Sequence, residues 1–207
     1  MQLILASGSI GRKELLQYIG IPFDVVKSSI DEYAIVGNTP HETLKIRARA
    51  KGVAVVNTII KYPNKQINKY SNDYMVLAAD TSVVFEGKLY GKPKDRKDAE
   101  EMFSLFSGKV HEVVTATYVG EVSGGTPTML LEESTTSLVT FKQLSQMDIN
   151  RYLNVTDYTR FAGSYAINSG QDFIVKLEGS ISNVVGLPLE LIMPLLEEKG
   201  LITTGRD

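Results

Sequence analysis

The chain has 207 residues, 43% of them hydrophobic, enough for a packed globular protein, and no cysteine, which excludes disulfides, thiolate metal sites and cysteine nucleophiles. Its net charge of −2 argues against the broad basic surface that nucleic acid or an anionic membrane rewards, and with only His41 and His111 any metal must rely on oxygen ligands, as magnesium does. No apolar run nears the roughly 18 residues of a membrane span, because Asp80 breaks the best one, and Met1-Gln2-Leu3-Ile4 is not preceded by a basic secretory segment, so a reducing cytoplasm is expected.

In chain order, a first strand is expected at 2–6 and a helix at 11–19, joined by Ser7, Gly8 and Ser9. The next strand is expected at 23–28. A long helix follows at 40–60, where Thr39-Pro40-His41-Glu42 has the spacing of a capping box with proline at the first helical position. Residues 61–73 are polar and rich in turn formers, which suits a surface loop. A buried-type strand is expected at 75–85 and a helix at 95–106. Two long β-rich runs, 111–122 and 128–141, meet at Ser123-Gly124-Gly125-Thr126-Pro127, a hairpin signal. A helix at 146–154, a strand at 173–178 and a helix at 188–199 complete the order, with Pro194 expected to kink or break the last one. Gly20, Gly108 and Gly200 each stand where a left-handed helix cap suits glycine. Such alternation predicts an α/β or α+β fold with a long sheet.

Four places carry candidate chemistry. The strand, small-residue turn and helix at residues 3–16 can present backbone N–H groups and Arg12 to a phosphate, although Arg12 and Lys13 also suit a solvated face. It is not a nucleotide P-loop, since Gly8 and Gly11 are too close and Glu14 follows the lysine. Leu44, Ala48, Lys51 and Val55 fall on one helical face, so Lys51 sits within an apolar stripe and must snorkel, pair with a carboxylate or meet a ligand's charge. Asp80 ends the buried pattern MVLAAD, either bonding to the next turn or facing a ligand beyond the strand. Asp31 and Glu32 form an acidic pair after an earlier strand, and Lys92 stands in a turn before Pro93. Together these carboxylates and cations are what a metal-polyphosphate site requires. His111 reads as a structural histidine, and the tyrosines lack the paired pattern of a single-stranded nucleic-acid platform.

Taken together, LASGSIGRKELL, IDE, RAKGVAV, AADTSVV, GKPKDRKDAEEMFSLFSGKVHEVVTA, AGSYAI and VVGLPL make the sequence resemble, over nearly its whole length, the Maf family of nucleoside triphosphate pyrophosphatases. The resemblance is to the dTTP/UTP branch, because the 7-methyl-GTP branch tends to have Ser-Asp-Gln where Ala79-Asp80-Thr81 stands. It implies one Maf-like domain over residues 1–207, with an elongated inosine-triphosphatase-like α/β fold: a central twisted mixed sheet flanked by helices, and a nucleotide cleft between two lobes.

The implied reaction splits a nucleoside triphosphate between its α and β phosphates, giving monophosphate and pyrophosphate as house-cleaning of the nucleotide pool. By the resemblance Asp80, Glu32, Lys51 and Lys92 are catalytic, Glu32 and Asp80 hold Mg²⁺ or Mn²⁺, and Ser7, Arg12, Thr81 and Asn168 bind substrate. It further implies a cytoplasmic homodimer. The chain departs from the family pattern at Ile10 and Gly11, which replace a proline and an arginine, at Asn168, which replaces glutamine, and at Arg160-Phe161, which replace an Asp-Lys pair. These departures leave open a 7-methyl-GTP or other purine preference. Another alternative is a nucleotide-sensing regulator of cell division with little turnover.

Overall fold

The computed structural model describes residues 1–62, 73–167 and 172–202. Its centre is a seven-stranded mixed sheet in the order β2-β1-β3-β5-β6-β7, with the short β4 paired to β3. β1 (Gln2–Leu5) lies parallel to both β2 (Phe23–Val25) and β3 (Tyr74–Phe85). Parallel neighbours need crossovers, and the helices α1 (Ile10–Tyr18) and α2 (Pro40–Lys61) supply them. β4 (Lys88–Tyr90), β5 (Val110–Ser123), β6 (Thr126–Phe141) and β7 (Ile174–Glu178) all pair antiparallel. The β5–β6 hairpin turns on Gly124 and Gly125, both at positive φ, as a two-residue turn between twisted strands requires.

Side-chain alternation divides the sheet's two faces. On one, Ile4, Val76, Ala78, Val114 and Ala116 pack against the apolar stripe of α2, with Leu44, Ala48 and Val55. Gly52 lets α2 approach closely, since a Cβ there would overlap the Tyr118 ring. The opposite face carries two separate clusters. Leu3, Leu5, Met75, Leu77 and Ala79 pack under α1 and α6 (Leu189–Glu198). Val83, Val113, Val139 and Phe141 pack under α3 (Arg96–Phe106) and α4 (Gln146–Val155). Between these clusters sits the five-residue α5 (Ile181–Val185).

Several expectations need adjustment. The α2 capping box is half made: Thr39 Oγ1 accepts from the Glu42 N–H, but the Glu42 carboxylate accepts from Asn38 N–H instead of Thr39 N–H. α6 continues through Pro194, because proline removes only one bond and Ile192 and Leu196 stay anchored in the core. β4, α5 and the short 3-10 turns at 32–34, 158–160 and 162–164 have too few residues to show a period. The expected loop at 61–73 falls largely outside the described residues, with Lys61 still in α2. Gly20, Gly108 and Gly200 do adopt positive φ. Among the described residues, no helix is long and apolar enough to cross a membrane.

His111 is structural, as expected. It stacks on Phe106 at 4.6 Å between centroids, lies edge-on to Phe141, and shares a 2.8 Å hydrogen bond between Nε2 and the Tyr165 hydroxyl. Burial lowers its pKa from 6.5 to about 4, so the folded protein keeps it neutral where the unfolded chain would protonate it. Stability is therefore expected to fall as pH drops from about 6.5 towards 4, by up to about 3 kcal/mol from this group. Urea unfolding at pH 7 and pH 4.5 should show a smaller acid loss in His111→Phe than in the wild type. Equal losses would refute the assignment.

Candidate functional site

β3 pairs with β1 only over residues 74–77 and with β4 only over 83–85. Between those segments, on that side, residues 78–82 have no neighbouring strand among the described residues. β1 has already turned away at Ala6, whose N–H makes the last bond, to Leu77 O at 2.8 Å. This opening exposes both faces of β3 to one cleft of about 810 Å³, lined by Asp80 and Thr81 from successive positions on opposite faces. Among the described residues, six basic side chains line the cleft: Arg12, Lys27, Arg47, Lys51, Lys92 and Arg160. A cavity so rich in cations suits a polyanion.

Arg12 is buried at the start of α1 and bridges three elements. Its Nε donates to Gly186 O at 2.7 Å, Nη1 to Ser7 Oγ at 2.8 Å and Nη2 to Thr81 Oγ1 at 3.0 Å. A guanidinium has five N–H groups, so two have no bond among the described residues and remain for a ligand. Burial lowers the Arg12 pKa against the opposing charges of Asp80 and Glu32, yet a guanidinium stays protonated. Ser7 Oγ accepts from both Arg12 and the Ser9 N–H, at 3.2 Å. Both lone pairs are thus engaged, and the hydroxyl hydrogen is left to donate. The small residues of the turn therefore do more than bend the chain, because they leave directed donors.

Lys51 reaches β3 from the middle of α2. Its ammonium pairs with Asp80 Oδ1 at 2.6 Å and with Glu32 Oε2, and the third proton faces Ala79 O at 3.4 Å. Of the options open to a lysine in an apolar stripe, pairing with carboxylates is the one realised. Asp31 and Glu32 diverge, for Asp31 caps the 3-10 turn by accepting from Tyr33 N–H while Glu32 turns to Lys51. The two carboxylates that share Lys51 are driven apart. Burial pushes Asp80 above the usual aspartate range, against the pull of Lys51, and the charge of Glu32 adds to the push. Burial also acts upward on half-exposed Glu32, but its hydrogen bond and ion pair with Lys51 outweigh it and hold Glu32 below its ordinary value. Such a separation suits one carboxylate for proton transfer and the other for permanent charge.

Glu32 Oε2 and Asp80 Oδ1 both meet the Lys51 ammonium, so the second oxygen of each carboxylate, Glu32 Oε1 and Asp80 Oδ2, is the hard oxygen left for an ion. Among the described residues no three of His, Cys, Asp and Glu cluster closely enough to hold an ion by themselves. Two carboxylates fit a magnesium-type ion that takes its other ligands from phosphate and water.

Ser7, Arg12, Glu32, Lys51, Asp80, Thr81 and Lys92 all line this cleft, and Asn168 lies outside the described residues. Lys92 enters from the turn after β4, which is held by the bond from Gly163 N–H to Gly91 O. Its ammonium has no ion pair among the described residues. Ile10, Gly11, Arg160 and Phe161, the departures from the family pattern, line the cleft too. At Gly11 a Cβ would come within 2.9 Å of Val185, so α1 packs tightly on α5 there. Lys27 went unmarked in the sequence. It arrives because β1 and β2 run side by side, a pairing extended by the Val26 N–H to Leu5 O bond, and its stem lies against Gly8. The available signal was only a lysine near the end of the strand expected at 23–28.

A family model described as "Maf-like protein" matches residues 2–199. The chain is 39% identical over 203 residues to the "dTTP/UTP pyrophosphatase" of Geotalea uraniireducens (strain Rf4), spanning 97% of this chain and 96% of that protein. Identity with the proteins of the same name from Bdellovibrio bacteriovorus and Bacillus cereus (strain Q1) is 36% over 197 residues and 33% over 204. These alignments span 95% of this chain and 97% of the first relative, and 98% of both chains for the second.

Proposed function

The chain belongs to the Maf family, and from that premise we propose that it hydrolyses dTTP and UTP to the nucleoside monophosphate and pyrophosphate. The observation that carries the proposal is Asp80, a carboxylate held above its usual pKa at an opening in the sheet, flanked by Lys51 and by the unsatisfied donors of Arg12 and Ser7.

The residues divide the work as follows. The two spare N–H groups of Arg12 and the Ser7 hydroxyl bind phosphate oxygens, and the ammonium groups of Lys27 and Lys92 add charge along the chain of phosphates. Glu32 and Asp80 would hold Mg²⁺ or Mn²⁺, an ion that supplies further neutralisation of the triphosphate. Asp80 orients a water and takes its proton as the water oxygen bonds to phosphorus, while the bridging oxygen leaves with the electron pair of the broken α–β linkage. The raised pKa of Asp80 makes it a better proton acceptor than an ordinary aspartate. Lys51 keeps that carboxylate aimed and offsets the charge it shares with Glu32. The family resemblance adds a cytoplasmic homodimer to this proposal.

Product analysis tests it. Purified protein with Mg²⁺ or Mn²⁺ is given a panel of canonical and modified triphosphates, and chromatography with a pyrophosphate assay resolves the products. Monophosphate with pyrophosphate from dTTP and UTP is expected. Turnover confined to purines would overturn the substrate, and binding without turnover would point to a sensor.

A further inference from the structure

The sheet face that carries α5 is apolar at both ends and polar between them. Thr81, Thr115, Ser137 and Asn183 fill that seam, and the last three are fully buried. Buried hydroxyls must bond, so their proton directions can be assigned. Thr115 Oγ1 donates to the main-chain carbonyl of Asn183 at 2.9 Å. Its one hydrogen is then engaged, so towards Thr81 Oγ1, 3.0 Å away and directly opposite in the β3–β5 register, it can only accept. The Thr81 hydrogen is engaged in turn, and the Thr81 oxygen is left to accept from Arg12 Nη2.

The other side of Arg12 closes the circuit. Its Nε donates to Gly186 O, at the end of the same α5 that Thr115 grips at Asn183. α5 cannot drift, because Asn183 Nδ2 donates to Val113 O at 3.0 Å and to Ser137 Oγ at 2.9 Å. Gly186 fits this corner at φ 115°, where a Cβ would press on Thr81 Oγ1 at 3.1 Å. Arg12, Thr81, Thr115 and α5 thus form a closed ring of hydrogen bonds whose proton directions are fixed by one hydroxyl.

We infer that Thr115 is a positioning residue for the phosphate site. By accepting the Thr81 proton, it makes Thr81 an acceptor for Arg12 and fixes the guanidinium plane. That plane in turn engages Ser7 and leaves the Ser7 hydrogen and two Arg12 N–H groups for phosphate. Thr115 does not line the cleft and acts only through Thr81 and Arg12. Without its hydroxyl, the Thr81 hydrogen is released to compete for Gly186 O, 3.5 Å away, or to face the Arg12 donors. The nature of the bound ligand rests on the proposed function, whereas the ring itself rests on geometry alone.

Two variants separate positioning from packing. Thr115→Val keeps the shape and strand preference but has no hydroxyl, whereas Thr115→Ser keeps the hydroxyl and loses a buried methyl. Thermal unfolding, kcat and KM for dTTP, and the metal-free affinity for inorganic pyrophosphate by calorimetry would be measured for both. Thr115→Val is expected to weaken pyrophosphate binding and lower kcat/KM by about tenfold or more, as displaced binding groups do. Thr115→Ser should stay near wild type in both despite a lower melting temperature. Serine and valine variants equally impaired, or a valine variant with wild-type KM and pyrophosphate affinity, would overturn the inference. So would a wild type that binds no pyrophosphate. If the wild type binds pyrophosphate but cleaves no nucleotide, the proposed reaction fails while the three affinities still decide the role of Thr115.

Discussion

Asp80→Asn is expected to lower the rate of dTTP and UTP hydrolysis by about 10³-fold, within the range lost with a general base, and to leave nucleotide binding largely intact. Asparagine matches aspartate in size and can still accept a hydrogen bond from Lys51, whose charge remains paired with Glu32. Burial that raises the Asp80 pKa also means that removing its charge removes a desolvation cost, so the melting temperature should change little. The wild-type rate should fall on acidification as Asp80 takes up a proton, and that acid limb should vanish from the residual activity of the variant. An Asp80→Asn enzyme within tenfold of wild type would remove Asp80 from the chemistry.

Lys51→Met is expected to damage both stability and activity. Methionine fits the apolar stripe of α2, but it leaves Asp80 and Glu32 facing one another without the ammonium between them. Removing one partner of a buried pair costs several kcal/mol; here about 3 kcal/mol is expected at pH 8, because Glu32 is half exposed and can turn into water. The sign with pH follows from the carboxylates. Without Lys51 their pKa values rise, so protonation relieves the repulsion and the penalty shrinks as pH falls to about 5. Urea midpoints of variant and wild type at the two pH values measure this, and a penalty independent of pH would show that Lys51 acts through packing. Hydrolysis should drop by at least about 10²-fold, since the base loses the group that aims it.

The sequence alone determined most of the elements and the two anomalies at the heart of the site. Hydrophobic period and capping residues are local properties, so α1, α2, β3 and the β5–β6 hairpin are legible within windows of ten to twenty residues. Lys51 in an apolar stripe and Asp80 at the end of a buried strand stand out for the same reason: a charge among apolar neighbours requires a partner. Neither residue names that partner. The Lys51–Asp80 pair spans 29 positions and the Arg12–Gly186 bond 174, and only the packing of α2 and α5 onto the sheet brings them together.

Tertiary structure likewise decided where the cleft lies. The opening at residues 78–82 exists because β1 ends at Leu5 and β4 begins to pair only at Val83, a consequence of strand order and register that no single strand contains. α5 is too short to declare itself by period or to form alone, yet its position between two apolar clusters sets the Gly186 carbonyl for Arg12. Lys27 and Thr115 look ordinary in sequence, each a residue within an expected strand. Strand pairing gives each its place, setting Lys27 beside the turn at Gly8 and Thr115 opposite Thr81, because register is a relation between segments that local pattern does not encode.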